Sequence, residues 1–359
     1  MRRPVYIAGS GLLCARGDSP EAVATSLWNG EQGSEMRRVG DREFPYFALP
    51  LAEPNWLKRA EQAVAQVTAQ LAPLPPGIAL FVASSSFQIG HYEQQGEPYA
   101  VSVANAAFSR QLAQWMQLGG PLASISNACI SGFSAIEAAR SLIAGGQLDA
   151  ALIIGVELSN QLTLAGFSAM ELLSPSASRP FDIGRDGLVL GEAVAAIRLS
   201  ATPGRWRIAG LRTGIDAYSS TGPDPAGGPI AAVISACLQE AQLSASEIEL
   251  IKVQAAGSPG TDLAEANALQ RVFGQSLPAL ISLKSAIGHT LGASGIAELV
   301  ALLASLDADQ IPATAGFQQA DPKIGALSPV DRQHRHIKRA LLNLIGFGGG
   351  LASMIIERP

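Results

Sequence analysis

The stretch ASISNACISGFSAIEAARSLIAGG, residues 123–146, decides the fold. Small and β-branched residues from Ala123 to Ala128 predict a buried strand. Cys129 follows at once. Phe133, Ile136, Ala139, Leu142 and Ile143 then recur at helical spacing, and Gly145-Gly146 stops the pattern. A cysteine on a tight turn between strand and helix points its sulfur at free helix N–H groups. Those groups and the helix dipole favour thiolate over thiol. A free cysteine is more often a small buried hydrophobe. Cys14 and Cys237 take that reading; the neighbours of Cys129 argue for more.

Outward from this turn, apolar runs and helical patterns alternate along the chain. Strands are predicted at Val5–Leu13, Ile78–Ser85, Ala123–Ala128 and Ala151–Val156. A second series falls at Val194–Leu199, Ile208–Thr213, Leu250–Val253, Leu280–Leu283 and Leu341–Leu344, with a last strand at Ser353–Glu357. Helices are predicted at Pro20–Trp28, Trp56–Leu71, Ala104–Leu118, Ile130–Ala144, Pro229–Ala241, Leu263–Val272 and Ile296–Asp307. Such alternation predicts an α/β fold with helices on sheet faces. Two series of similar size predict a duplicated unit, with halves 1–200 and 201–359. Residues 29–55 and 220–229 read as loops.

The chain has 359 residues, 48% of them hydrophobic, enough for a sizeable core. Its net charge of −5 and the lack of Lys/Arg blocks argue against nucleic acid. Three cysteines without paired spacing argue against a disulfide framework or a metal site, and for a reducing, cytoplasmic setting. No apolar run reaches the roughly 18 residues of a membrane span. The opening MRRPVYIAGSGLL is short and glycine-interrupted, so it reads as a first buried strand rather than a signal peptide.

Four further segments carry candidate chemistry. Residues 178–199, SRPFDIGRDGLVLGEAVAAIRL, gather charges and glycines before a core strand; a surface turn and a site wall are both consistent with them. Residues 281–300, ISLKSAIGHTLGASGIAELV, deliver Lys284, His289 and Glu298 in an apolar setting. Lys284 and Glu298 are expected to pair, and a buried pair orients a site more than it stabilises a fold. Residues 341–357, LLNLIGFGGGLASMIIE, surround Phe347 with glycines whose backbone can approach a reacting group. Residues 253–274, VQAAGSPGTDLAEANALQRVFG, carry Asp262 and Glu265 after a glycine turn, without a histidine.

In this order, the Cys129 turn, RPFDIGRDGLVLGE, LKSAIGHTLGASG and GFGGG resemble the β-ketoacyl-acyl-carrier-protein synthases. The resemblance covers nearly the whole chain. It implies the thiolase-like fold, two similar α/β halves in an αβαβα layering. Cys129 would take an acyl chain from acyl carrier protein as a thioester. The N–H groups of Cys129 and Phe347 would form an oxyanion hole, and Phe347 would gate the site. His289 would be the second of two histidines that polarise a malonyl thioester. Lys284, Glu298 and Asp262 would support them. No cofactor or metal is implied beyond the phosphopantetheine carried by the carrier protein. Lys58 and Arg59, read as an exposed pair, are candidates for docking it.

The family's first histidine is missing. Its position falls on Gln254 by ungapped counting, or on Ala256 if the turn glycine is matched. The family's Thr-Asn after GFGG is replaced by Gly350-Leu351. Loss of one donor to the thioester oxygen costs on the order of 10²–10³ in rate, roughly 3–4 kcal/mol. Acylation of Cys129 needs chiefly the thiolate and the oxyanion hole, so the resemblance implies a chain that can carry an acyl group but condenses poorly alone. This profile resembles chain-length-factor partners of type II polyketide and aryl-polyene systems. These pair with an intact ketosynthase as a heterodimer that elongates chains on carrier protein in fatty acid or polyketide synthesis. An active 3-oxoacyl synthase or acyltransferase, working as a homodimer, is the alternative.

Overall fold

The computed structural model describes residues 3–31, 33–274, 276–325 and 327–359. Among the described residues, ten strands form the main sheet. They are β1 (Tyr6–Cys14), β2 (Ala79–Ala83), β3 (Leu122–Ile125), β4 (Ala150–Glu157) and β5 (Ala193–Ser200), then β6 (Trp206–Ile215), β7 (Leu250–Lys252), β8 (Ala279–Ile281), β9 (Arg339–Ile345) and β10 (Gly350–Glu357). Their order in space is β3-β2-β4-β5-β1-β6-β10-β9-β7-β8. Read from either edge inward, each half runs third, second, fourth, fifth, first. The pairing repeats as well. The outer two contacts of each half, β3–β2 and β2–β4 or β8–β7 and β7–β9, are parallel. The inner two are antiparallel. The halves meet where Tyr6 and Ile7 pair with Arg207 and Trp206. Two units with one topology, joined at their first strands, account for the duplicated pattern in the sequence.

Seven longer helices flank these strands: α1 (Pro20–Asn29), α2 (Trp56–Ala69), α3 (Val101–Trp115), α4 (Ser131–Ala144), α5 (Gly228–Ala241), α6 (Pro259–Phe273) and α7 (Ser294–Asp307). Local chemistry sets several of their ends. Ser19 and Asn55 cap α1 and α2 by accepting the N–H of Ala22 and Lys58. Pro20 stands in the first turn of α1, and left-handed Gly30 closes it.

Alternation within each strand then sorts side chains into layers. Ala151 and Ile153 of β4 join Ala340, Leu342 and Leu344 of β9 in a central core with α4 and α7. Leu152 and Ile154 face the other way, onto α2 and α3. Leu341 and Ile345 face α5 and α6. The result is the thiolase-like sandwich, helix–sheet–helix–sheet–helix. Its strands read as near-continuous apolar runs because both faces are buried. In the central layer α4 and α7 cross closely at glycine. A Cβ on Gly295 would lie 2.7 Å from the Phe133 ring.

Two expectations are corrected. The strand leading to Cys129 is not buried: β3 is the outermost strand, alternating between exposed and half-buried residues, with Leu122 38% exposed. Its small residues suit an edge packed on one side only. Residues 29–55 are not merely loop. Glu35–Val39 and Arg42–Phe47 form a hairpin whose second strand continues onto Leu190 and Gly191. The charged first strand has no apolar alternation to reveal it, because much of it faces solvent. Short helices at Ile89–Gln95 and Gln161–Ala169 also went unread.

Candidate active site

Cys129 sits on a strained turn. Ala128 has φ 45°, a left-handed conformation costly for a residue with a Cβ. The Ser131 hydroxyl secures the turn: it donates to Ala128 O at 2.7 Å and accepts the Asn127 N–H at 2.8 Å. The sulfur is thereby delivered to the floor of a small cavity, about 40 Å³ of water-accessible space, lined also by His289, Phe347, Gln254 and Ala256.

His289 Nε2 lies 3.2 Å from Cys129 Sγ, and Nδ1 lies 3.0 Å from Ser294 Oγ. The imidazole is pinned from its backbone. Its N–H donates to Val189 O at 2.7 Å, and its carbonyl accepts the Gly191 N–H at 3.1 Å. Residues 189–191 belong to the charged segment before β5, so that segment is a wall of the site. Burial, reinforced by the Lys284 charge, pushes the imidazole down to about 3. It is therefore neutral at ordinary pH and able to accept a proton.

The thiolate expectation is corrected. Burial pushes the Cys129 thiol up to about 11, against the lowering effects of the Phe347 N–H and the Lys284 charge. Only 4% of the residue is exposed, and desolvation outweighs the helix start. The sulfur needs a base, and among the described residues His289 is the one in hydrogen-bond contact with it. The backbone N–H groups of Phe347 and of Cys129 itself favour the ionised sulfur, without outweighing burial. The Phe347 ring meets Phe167 at 5.4 Å and 66°.

Behind His289 lies a buried charge cluster. Lys284 Nζ pairs with Glu298 Oε1 as expected. Lys252, which sequence reasoning missed, takes the other oxygen at 2.6 Å and also donates to Asn343 O at 3.2 Å. Its signal was a lone lysine inside the apolar run LIKV. Burial lowers Lys252 to about 8. Glu298 is raised by burial, but the two lysines outweigh this and hold it below the usual carboxylate range.

Two further carboxylates hold the 254–257 turn. Glu265 accepts the N–H groups of Gln254 and Ala255 at 2.8 and 2.7 Å. Asp262 accepts those of Phe181, Ala256 and Gly257 at 2.9, 3.2 and 3.3 Å. Burial raises Asp262 to about 7. Gly257 has φ +86°, and a Cβ there would meet Arg179 N at 2.7 Å. Ala256 is the residue before this turn glycine. Gln254 and Ala256 both line the cavity, and neither brings an imidazole.

Arg59 does not form an exposed pair with Lys58. It is buried, and its guanidinium binds Glu192 at 2.5 and 2.6 Å. The helical spacing of α2 turns Arg59 inward and leaves Lys58 outside. Among the described residues there is no group of three or more metal-ligating side chains, and no helix is long and apolar enough to cross a membrane.

The β-ketoacyl synthase N-terminal domain model matches residues 56–202, and the β-ketoacyl synthase C-terminal domain model matches residues 207–318. The chain belongs to the β-ketoacyl synthase family. The tetracenomycin polyketide synthase ketoacyl synthase alpha subunit of Streptomyces glaucescens is 32% identical, over 67% of this chain and 61% of its own length. The chain thus matches less than two thirds of that relative. The 3-oxoacyl-[acyl-carrier-protein] synthase 2 of Vibrio harveyi is 29% identical, with 99% of each chain covered. A solved structure of the ketosynthase ApeO in complex with its chain length factor ApeC, from Xenorhabdus doucetiae, superposes with a TM-score of 0.89. Identity is 25%, over 99% of this chain and 98% of that one. This β-ketoacyl synthase homologue therefore has the family fold, with a cysteine and one histidine in contact.

Proposed function

We propose that this chain is a chain-length-factor-like subunit that pairs with an intact ketosynthase and can hold an acyl group on Cys129. The observation that carries the reading is the cavity wall itself. Cys129 and His289 are in contact, and Gln254 and Ala256, the two candidates for the second histidine's position, line the same cavity without an imidazole. Acyl transfer requires only the first pair. The thiol proton passes to His289 Nε2 as Sγ bonds to the thioester carbonyl carbon. The donor C–S bond then breaks, and the leaving thiolate takes the proton back from His289. The Phe347 and Cys129 N–H groups face the oxygen that becomes negative. Decarboxylation of a malonyl thioester builds charge that His289 alone meets.

The edge strand β3 supports a partner. It ends the sheet with unpaired backbone groups, runs straight into the Cys129 turn, and packs beside α3, where Val103 is 63% exposed. Open edges of this kind are templates for pairing with another chain. In the ApeO–ApeC complex a ketosynthase pairs with a chain length factor, and by analogy an intact ketosynthase is the proposed partner here. Acyl carrier protein is the proposed acyl donor, with its phosphopantetheine arm reaching the cavity. Co-expression with an intact ketosynthase is expected to yield a stable mixed dimer. Recovery of homodimers alone, with full condensing activity, would overturn the reading. The second reading, an independent acyltransferase, is favoured by the 3.2 Å Cys129–His289 contact. It predicts acylation of the isolated chain, detectable as a mass increase absent from Cys129→Ala.

A further inference from the structure

Gln254 is 4% exposed, and its side-chain oxygen is buried without a hydrogen-bond partner. Other buried carboxamides of this protein are engaged. Asn343 donates to Glu265 at 2.7 Å and accepts from Ser353 at 2.8 Å, and Gln88 donates to Ala104 O at 3.1 Å. A buried acceptor left unpaired is costly, and in a native structure it calls for an explanation. The position is not loose. Glu265 fixes the Gln254 and Ala255 N–H groups, and the Ser282 hydroxyl donates to Ala255 O at 2.6 Å. Val253 and Ala255 pack into the outer core of the second half. Alternation therefore turns Gln254 the other way, into the cavity beside Cys129 and His289.

We propose that Gln254 reads the thiol arm of the acyl donor, accepting through Oε1 an amide N–H that lies close to the thioester sulfur. The inference rests on the acyl-carrying reading of Cys129. The ligand chemistry follows from the orphaned atom. An acceptor needs a donor, and neither a thioester nor an alkyl chain supplies one. A phosphopantetheine arm does: its terminal amide N–H is two carbons from the sulfur. With the carbonyl oxygen turned to the N–H groups of Cys129 and Phe347, the arm leaves the cavity past Gln254. The residue is then a specificity determinant, selecting donors by the arm rather than by the acyl chain.

Two small probes separate the possibilities: hexanoyl-N-acetylcysteamine, which carries the amide, and S-butyl hexanethioate, which lacks it. The readout is the rate of Cys129 acylation in the full chain by intact-protein mass spectrometry, with Cys129→Ala as the blank. The wild-type chain is expected to prefer the amide probe by about tenfold, the scale of one hydrogen bond of about 1.4 kcal/mol. In Gln254→Met, near-isosteric and with only a weakly accepting thioether in place of the carbonyl oxygen, the ratio is expected to fall to about one. Gln254→Asn is expected to restore part of it. Acylation of the wild type without preference overturns the proposal whether or not a variant folds. So does a ratio that persists in a folded Gln254→Met. Acylation by neither probe overturns the acyl-carrying reading itself, and this inference with it.

Discussion

Cys129 and His289 divide the chemistry in a way that a pH profile can read. With the thiol near 11 and the imidazole near 3, both are neutral across the ordinary range. If His289 takes the proton as the sulfur attacks, its base form is already complete above about pH 3. The acylation rate should then be flat between about pH 5 and 9. Without that base, only the thiolate reacts, and its fraction grows about tenfold per pH unit below the thiol pKa. The His289→Ala variant should accordingly show a rate rising tenfold per unit over the same range. A wild-type rate that climbs in that manner would remove His289 from the step. The missing donor is testable at the same scale. Ala256→His is expected to raise malonyl decarboxylation on the order of 10²–10³, one electrostatic donor's share, measured as carbon dioxide release from malonyl carrier protein. No increase from it, nor from Gln254→His, would mean that the shape of the 254–257 turn, rather than its side chains, limits decarboxylation.

At the scale of elements, two contacts decide whether the site stays assembled. The first is Arg59 of α2 against Glu192 ahead of β5. Burial raises Glu192, but Arg59 and the N–H groups of Leu49 and Ser159 reverse this and hold it below the usual range. A carboxylate whose folded pKa is depressed stabilises above its unfolded value of about 4.3, and that contribution is lost as pH falls through the folded value. Arg59→Ala strands a buried carboxylate and should cost about 3–5 kcal/mol at pH 7. In urea titrations repeated at lower pH, the difference from wild type should shrink as Glu192 protonates. A constant difference would show that the loss is packing alone. The second contact is the crossing of α4 and α7. Gly295→Val would push its side chain into Phe133 and should destabilise by about 1–3 kcal/mol in the same titrations. An unchanged midpoint would mean that the helices slide apart freely.

For the molecule as a whole, the open β3 edge is where association should be won or lost. Leu122→Lys places a charge on a residue that is already 38% exposed. Its effect on the melting temperature of the isolated chain should be small, while the mixed dimer should dissociate at higher concentration in light-scattering measurements. Equal dimer stability would move the interface elsewhere. The sequence made most of this architecture legible. All ten main strands and the seven longer helices fall where apolar periodicity puts them, displaced by a few residues at their ends. The hairpin at 35–47 was illegible because its first strand is largely solvated and carries no alternation. Lys284 and Glu298 could be paired from the sequence, since a strongly apolar segment leaves them few alternatives. Lys252 could not, because its partner lies 46 residues away on another element.

The sequence by itself determined the order of strands and helices, the placing of Cys129 and His289 on their turns, and the glutamine and alanine at positions 254 and 256. These are local properties: spacing, turn residues and identity at a position. Only the tertiary structure decided the charge states and the contacts. Whether Cys129 is thiol or thiolate depends on how completely other elements exclude water from it, and burial outweighed the helix start. Whether Arg59 meets solvent or Glu192, and whether Gln254 finds a partner, depend on segments far away in the chain. Desolvation and long-range pairing are set by packing, and no window of sequence contains them.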